Sequence, residues 1–347
     1  MHRFLNVYGL LIAIGGDWPS VIDNVALDFG WFEVPMGTHP ARVHVEIRRG
    51  PPELERFGDV PAAFVTPRNV VYQLEDTRTL VDYFGTAVSV YDRSREHVLV
   101  QGEPDHLVHE AAYHFLLSRI GSHVEQRRMT RLHALALVGR QGAVALMLPS
   151  GGGKSTLALR ALREPGVKLL AEDSPLIDRR GFLHPFPLRI GVNPSDAGDL
   201  PDVPVRRLER MEFHPKLALD IRPFAGQIET EPQPLRHLVV GHRTLGDRTD
   251  LRPLARRGAV GSLMREAVVG VGIYQGMEFV LQRGIRDLAG KAGIGLTRAL
   301  CCAAALSRAR VWRLTVGRDR ERNWSALRRL LTEPEPDGPP TAGGMPS

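Results

Sequence analysis

The spacing of apolar residues divides the chain into a strand-rich first part and a mixed second part. Up to about residue 103, short apolar stretches alternate with turn residues, as is typical of β-strands: FLNVYGLLIAI, RVHVEIRR, NVVYQLED, TAVSVYD and HVLVQGE. After Pro104 the apolar residues recur at helical spacing, which predicts a helix ending near Gly121. Residues 1–125 are therefore predicted to form a β-rich N-terminal module that ends in a helix.

The second part begins with a pattern that is typical of a β-hairpin. LHALALVG and AVALMLP are apolar stretches separated by RQG, and the second leads directly into SGGGKST. A helix should follow and end at EPG, and VKLLAED should be the next strand. Further along, FLHPFPLRIGV, LRHLVVG and RVWRLTVG predict strands, while GSLMREAV and LTRALCCAAALSRA predict helices.

These elements predict an α/β (α+β) chain of two domains. The second domain should span residues 126–330. Residues 331–347 contain EPEPDGPPTAGGMPS, whose apolar content is too low for a packed core, so a disordered tail is expected there. No internal repeat is visible in the sequence.

Composition and charge argue against a nucleic-acid partner. The 347 residues are 43% hydrophobic and carry a net charge of +6, and the basic residues are spread along the chain. Only four of them are lysines; the other 41 are arginines. A lysine at position 154 is therefore notable, because a compact ammonium fits a tight phosphate cradle better than a planar guanidinium does.

Cysteine usage and hydropathy indicate a cytoplasmic protein without a membrane segment. The only cysteines, Cys301 and Cys302, are adjacent in an apolar helical stretch, where they are expected to be buried and reduced. No run of about 18 apolar residues is present. The first apolar run faintly resembles a signal peptide, but its alternation favours a strand.

The glycine run has the features of a phosphate-binding loop. A strand, a glycine loop and a helix start together form an anion site, because backbone N–H groups point inward and the helix dipole favours negative charge. Lys154 would neutralise phosphate and the Ser155 hydroxyl would bind Mg²⁺. The nucleotide-binding candidates are Ser150, Gly151, Gly152, Gly153, Lys154, Ser155 and Thr156. The alternative is an ordinary helix start with a chance Lys-Ser-Thr.

The loop departs from the general pattern G-x-x-x-x-G-K-S/T at its first glycine, which is Leu148 here. Pro149 restricts Leu148 to extended geometry, so the strand should run straight to Pro149 and the turn should begin at Ser150. A shorter cradle, from Ser150 to Ser155, is predicted.

Two acids complete the candidate site. Glu172 and Asp173 follow Lys154 by 18 and 19 residues, at the end of the next predicted strand. One helix and one strand can return the chain to the mouth of the loop. One acid could then hold Mg²⁺ with Ser155, and the other could accept a proton from a hydroxyl. The alternative is a solvated turn.

The stretch from Leu132 to Val192 resembles the HPr serine kinase/phosphorylase family and its HPr-kinase-related relatives. The resemblance rests on LHALALVGRQGAVALMLPSGGGKSTLALRAL and VKLLAED, and extends more loosely over residues 1–319. It implies a PEP-carboxykinase-like P-loop kinase domain behind a β-rich N-terminal domain, with ATP and Mg²⁺ as cofactors. It further implies transfer of phosphate to a serine of a peptide or protein, and a homo-oligomer.

The resemblance also assigns roles to individual residues. Glu172 occupies the place of the proton acceptor, Asp173 that of the second acid beside the metal, and His133 that of a histidine on the preceding strand. Lys154 completes the catalytic set. A lone histidine in an apolar strand can equally be a hydrogen-bonded core residue. Leu148, the glutamate at 172 and the lack of an RGLGI-like segment depart from the family and disfavour the reverse, phosphorolysis reaction.

Three functions remain open on sequence alone. The leading prediction is an ATP- and Mg²⁺-dependent serine kinase. The arrangement of the chain also resembles HPr-kinase-like proteins of peptide-modification cassettes, which implies a ribosomally made precursor peptide or a small carrier protein as acceptor. The second candidate is a nucleotide-binding regulatory or assembly module without kinase activity, and the third is a small-molecule kinase.

Overall fold

A computed structural model describes residues 1–37, 39–74, 77–149, 151–200, 202–209, 214–269 and 292–333. Two nine-stranded sheets, a three-stranded sheet and several helices make up this part of the chain. The predicted mixed α/β class is confirmed. Within these ranges, no helix is both long and apolar enough to cross a membrane.

The first sheet contains the strands of the N-terminal part. They are β1 (His2–Val7), β2 (Leu10–Gly16), β3 (Glu33–Val34), β4 (Val43–Arg49), β5 (Ala62–Val65), β6 (Val70–Gln73), β7 (Arg78–Asp82), β8 (Ala87–Asp92) and β9 (His97–Gly102). Their order in the sheet is β3-β1-β2-β4-β9-β8-β7-β6-β5. The first predicted strand is a hairpin instead, because Tyr8 and Gly9 both have positive φ, 54° and 83°.

Two helices pack on this sheet, and the sequence predicted only one of them. α1 (Pro19–Asp28) was missed, although Pro19 suits the first helical position and Val21, Ile22 and Val25 are buried. α2 (Asp105–Gln126) starts where expected but continues five residues past Gly121. This glycine does not end the helix. Its missing Cβ leaves room for the Arg131 guanidinium, whose Nη2 would lie 3.1 Å from a Cβ there.

Among its described residues, the rest of the chain forms the other two sheets and four helices. The strands are β10 (Met129–Arg131), β11 (Leu135–Gly139), β12 (Gly142–Met147), β13 (Lys168–Ala171), β14 (Leu176–Asp178), β15 (Phe182–His184), β16 (Ile190–Val192), β17 (Val205–Leu208), β18 (Lys216–Leu219), β19 (Gln233–Arg243), β20 (Asp250–Pro253) and β21 (Arg310–Val316). The helices are α3 (Lys154–Ala161), α4 (Arg257–Leu263), α5 (Ala292–Arg308) and α6 (Arg320–Thr332). β16, β17 and β18 form the small sheet.

Strand direction gathers several chain segments at one edge of the second sheet. β12 runs parallel to β19, and β19 runs parallel to β21. β11 lies antiparallel to both β12 and β13, so β13 points the same way as β12. The carboxyl ends of β12, β13, β19 and β21 and the amino end of β11 therefore share an edge, which we call the carboxyl edge.

The predicted strand FLHPFPLRIGV and helix GSLMREAV are each divided in two. The first becomes β15 and β16, separated by a segment that contains Pro185 and Pro187, which cannot donate to a strand ladder. The second becomes the end of α4 followed by a π-helical segment, Met264–Val269.

The C-terminal elements match the expected burial of the cysteines and add one helix. Cys301 and Cys302 lie buried in α5 as free thiols. α6 was not predicted; its N-cap Asp319 accepts a hydrogen bond from the Arg322 backbone N–H. Because α6 ends at Thr332, the first two residues of the predicted tail are helical. Residues 334–347 lie outside the described residues.

Candidate functional site

The glycines of the loop occupy positions where a side chain would be strained or blocked. Gly151 and Gly153 have φ of 75° and 106°, in the left-handed region that favours glycine. A Cβ on Gly152 would lie 2.8 Å from the Pro149 carbonyl oxygen. Ser150 lies outside the described residues. The loop conformation thus depends on glycine at all three positions.

The helix after the loop starts at Lys154, with Gly153 as its N-cap. Ser155 and Thr156 therefore lie in its first turn, where backbone N–H groups have no intrahelical acceptor. Such a helix start attracts anions. The predicted nucleotide-loop residues that are described, Gly151 to Thr156, form one continuous turn into α3.

The packing of Leu148 explains why a leucine stands where the general loop pattern has its first glycine. Its side chain is 1% exposed and packs against Gly241 of β19, where a Cβ would lie 2.6 Å from Leu148 Cδ2. The Leu148 carbonyl accepts a 2.7 Å hydrogen bond from Lys154 Nζ. The leucine thus extends the core beyond the end of β12, and the loop begins after it.

Lys154 points back into the sheet edge and is almost fully buried. Besides the Leu148 carbonyl, its Nζ lies 3.3 Å from Asp173 Oδ1 and 2.9 Å from His133 Nε2. The amino end of β11 brings His133 here, and the carboxyl end of β13 brings Asp173. Three segments that are separate in sequence therefore meet around one ammonium group.

His133 is held between two carboxylates. Its Nδ1 lies 2.6 Å from Glu266 Oε2 and its Nε2 lies 3.1 Å from Asp173 Oδ1. Burial disfavours the charged ring, but the hydrogen bonds to Asp173 and Glu266 and the charge of Asp173 outweigh it and raise the pKa of His133 to about 9. Asp173 contacts both the His133 ring and the Lys154 ammonium, so one carboxylate balances the positive charge at this point.

Glu172 contacts the loop serine. Ser155 Oγ donates a 2.6 Å hydrogen bond to Glu172 Oε1. Burial raises the pKa of Glu172, and the negative charge of Asp173 raises it further, while the hydrogen bond from Ser155 and the charges of Lys154 and Lys216 oppose the rise. The groups around Glu172 thus stabilise its charged form only in part.

Asp173 has a different environment from its neighbour. Its side chain is 49% exposed, and it faces His133 and Lys154. Burial of the surroundings would raise its pKa, but the hydrogen bond and charge of His133, followed by the charge of Lys154, hold the pKa well below its usual range. In this structure Ser155 contacts Glu172, and the metal pair that the resemblance implies, Ser155 with Asp173, stays a prediction.

Sequence reasoning missed three residues at this site. Glu266 is 4% exposed and orients His133; the only signal for it was an acid within a predicted apolar helix. Arg243 ends β19 beside the loop, with Nη1 3.6 Å from the position of a Cβ on Gly153. Lys216, at the start of β18, acts on Glu172 through its charge. All three come from segments far from the glycine loop in sequence.

The oxygen donors at the loop suit a hard cation that is shared with a ligand. In the part of the chain that the structure describes, no group of three or more His, Cys, Asp or Glu side chains could hold a metal by itself. Ser155 and Glu172 nevertheless supply two oxygens 2.6 Å apart. Mg²⁺ commonly takes one or two carboxylates and completes its shell with water and substrate phosphates. The pair therefore fits Mg²⁺ that arrives with a nucleotide.

A scan of the chain against known protein families finds no matching family, and a search among curated proteins finds no matching protein. The resemblance seen in the motifs around Lys154 and Glu172 therefore stays a hypothesis about function.

Proposed function

We propose that this protein is an ATP- and Mg²⁺-dependent kinase that phosphorylates a serine of a peptide or protein. One observation carries the proposal: the glycine loop, Lys154 and Ser155 lie at the same sheet edge as Glu172, Asp173 and His133. Phosphoryl transfer depends mainly on positioning and charge neutralisation. These side chains offer both within hydrogen-bonding distance of one another.

The loop and the start of α3 would hold the phosphates. The backbone N–H groups from Gly151 onward and the helix dipole favour an anion there. Lys154 Nζ, which donates a hydrogen bond to the Leu148 carbonyl, would exchange part of that contact for phosphate oxygen. Arg243, beside Gly153, adds a second cation at the same end of the loop.

Ser155 and Glu172 would hold the metal ion. The Ser155 hydroxyl and the Glu172 carboxylate, which share a hydrogen bond, would be the protein ligands. Bound Mg²⁺ would neutralise the charge that develops on the phosphates. Burial and the charge of Asp173 raise the pKa of Glu172, so its charged form would be favoured beside a cation.

Asp173 then takes the role of proton acceptor. Its half-exposed carboxylate can reach an incoming serine hydroxyl, and His133 and Lys154 orient it. The serine oxygen bonds to the γ-phosphorus, the bond from phosphorus to the ADP oxygen breaks, and the hydroxyl proton moves to Asp173. A weak base suffices because the transition state is loose. These contacts favour exchanging the roles that the resemblance gives to Glu172 and Asp173.

The proposal includes a specific fold for the second domain and a cellular compartment for the protein. A strand, a glycine loop and α3, followed by β13 with its two acids, are what a PEP-carboxykinase-like P-loop kinase domain requires. The strand-rich N-terminal part would form its partner domain. Buried free thiols at Cys301 and Cys302 suit a reducing compartment such as the cytoplasm.

Single-turnover transfer from labelled ATP to serine peptides tests the proposal. We expect transfer that requires Mg²⁺ and that Lys154→Ala and Glu172→Gln each reduce strongly. Lys168→Ala is the matched control, because Lys168 is half exposed, pairs with Glu229 and starts β13 at the opposite edge.

Two results would count against the kinase. Unchanged transfer in both site variants would mean that the site is wrongly placed. Tight binding of ATP and Mg²⁺ without transfer to any serine acceptor would favour the nucleotide-binding regulatory or assembly module instead.

A further inference from the structure

Three arginines from other segments of the chain pack against one face of α2, beside the candidate site. Tyr113, Gly121 and Glu125 share this face because they are spaced by multiples of four residues. Arg189 Cζ lies 4.2 Å from the centre of the Tyr113 ring, and Arg298 Nε donates a 2.7 Å hydrogen bond to Glu125. The guanidinium of Arg131 lies between them against Gly121.

The outer two arginines have carboxylate partners. Arg189 Nη1 lies 2.5 Å from Asp28 Oδ2, and Arg298 pairs with Glu125. Both pairs are largely buried and link the N-terminal part to later segments, the residue before β16 and helix α5. The guanidinium groups of Arg189 and Arg298 therefore already have carboxylate partners, and these ion pairs have a structural role.

Arg131, the middle arginine, is different. Across the described ranges its guanidinium makes no hydrogen bond and no ion pair within 4 Å. Burial lowers the pKa of Arg131 and the charge of Arg298 lowers it further, while the charges of Glu125 and Asp173 offset this only in part. A partly buried guanidinium without a partner leaves five N–H donors available, and its planar fork matches a carboxylate or phosphate.

Backbone pairing places the segment of Arg131 beside that of Asp173, the proposed proton acceptor. β10 pairs with β14 so that Arg131 lies opposite Leu176, and Ala134 N donates a 3.1 Å hydrogen bond to the Asp173 carbonyl. The segment that carries Arg131 therefore runs alongside the segment that carries Asp173. The Asp173 side chain is about half exposed, so a hydroxyl could reach it from solvent.

We propose that Arg131 binds a carboxylate of the acceptor peptide, adjacent to the serine that is phosphorylated. This inference rests on the proposed function. An acidic peptide that approached Asp173 and Glu172 would be repelled, and Arg131 offsets that repulsion on the acceptor side of the site. A side-chain carboxylate of Asp or Glu next to the serine, or a carboxylate that ends the peptide, meets the requirement.

Calorimetric binding to the full chain with ADP and Mg²⁺ tests this directly. The probes are two peptides that differ at one residue beside the serine, one with Asp and one with Asn. We expect the wild-type protein to prefer the Asp peptide about tenfold or more, because a charge-assisted bidentate contact distinguishes the two. Arg131→Gln should bring the ratio of the two affinities close to one.

Two further variants keep the test decisive. Arg131→Lys retains the charge without the fork and should keep only part of the preference. Arg140→Gln removes an exposed arginine from the β11–β12 turn, at the opposite edge, and should leave the ratio unchanged. A wild-type ratio near one, or a ratio unaffected by Arg131→Gln, would overturn the proposal.

The two proposals fail in different ways. An Asp preference that depends on Arg131, without phosphate transfer from ATP, would remove the kinase but keep the carboxylate site. Transfer that proceeds equally well to both peptides and in Arg131→Gln would keep the kinase and remove the carboxylate site.

Discussion

The side chain of Leu148 lies directly over Gly241 on the neighbouring parallel strand. A Cβ at Gly241 would come within 2.6 Å of Leu148 Cδ2 and 3.2 Å of Leu146 Cδ1. The residue that departs from the general phosphate-loop pattern is therefore fitted to a glycine 93 positions away in sequence. Leucine and glycine together let β12 and β19 pack closely just before the loop begins.

This fit predicts a coupled effect of two substitutions. Gly241→Ala should lower the free energy of unfolding by about 1 to 3 kcal/mol through overpacking. Leu148→Ala alone should cost about 2 to 5 kcal/mol through loss of buried side chain. In the double variant, Gly241→Ala should cost less than it does alone, because the clash is gone. Urea unfolding measures all three.

Gly246→Ala is the matched control for this cycle, since no atom lies within 4 Å of a Cβ there. It should change the unfolding free energy little. Additive costs in the double variant would contradict the packing that we describe.

The two neighbouring acids should have separable effects. Glu172→Gln should weaken the Mg²⁺ dependence of nucleotide binding, because it removes the carboxylate that faces Ser155. Asp173→Asn should leave Mg²⁺ affinity nearly intact and slow transfer about 100-fold or more, as expected for loss of a general base. Mg²⁺ titrations of nucleotide binding and single-turnover rates distinguish the two. The reverse pattern would restore the assignment that the family resemblance implies.

His133 should make stability depend on pH. Its pKa in the folded protein, about 9, lies above the ordinary value of 6.5. The stabilisation is therefore complete below pH 6.5 and is lost as the pH rises through 9, and it amounts to about 3 kcal/mol at most.

The measurement compares urea unfolding of the wild type and His133→Gln between about pH 6 and about pH 9.5. This range includes the ordinary pKa of histidine, 6.5, and the folded value of about 9. The advantage of the wild type should be largest at pH 6 and should shrink toward pH 9.5. An advantage that stays constant over this range would show that His133 is not held charged by Asp173 and Glu266.

Arg243 should contribute to triphosphate binding. Its guanidinium lies beside Gly153 at the end of β19, so Arg243→Gln should weaken ATP binding about tenfold, the typical effect of losing one charge-assisted hydrogen bond. Binding of adenosine, which lacks phosphates, should not change. Arg236→Gln serves as control, because Arg236 is exposed near the other end of the same strand. Equal losses for both variants would indicate a general charge effect.

Local elements near the loop could be predicted from sequence because their signals are local. The hairpin of β11 and β12, α3 and β13 each follow from the alternation of apolar residues and from punctuation by Pro149, the glycines and the EPG stop. α1 escaped prediction because its ten residues lie between two predicted strands and show no capping side chain. α6 escaped because its polar sequence resembles the charged segment around it.

The partners of the site residues could not be predicted from sequence. His133 and Glu266 are 133 residues apart, and neither sequence segment contains a pattern that predicts their contact. The choice between Glu172 and Asp173 as partner of Ser155 depends on how the backbone turns after β13. Neighbouring residues at a strand end can point in different directions, and only the packed sheet fixes which carboxylate meets which group.

The sequence by itself determined the glycine loop, its flanking strand and helix, and the pair of acids one helix and one strand later, because residues close in the chain set these features. The tertiary structure alone decided that Leu148 packs on Gly241, that Glu266 holds His133, and that Arg131 lies against α2 without a hydrogen-bond or ion-pair partner among the described residues. Those contacts join strands and helices far apart in the chain. They exist only once the parallel pairing of β12 with β19 and the packing of α2 against the second sheet are in place.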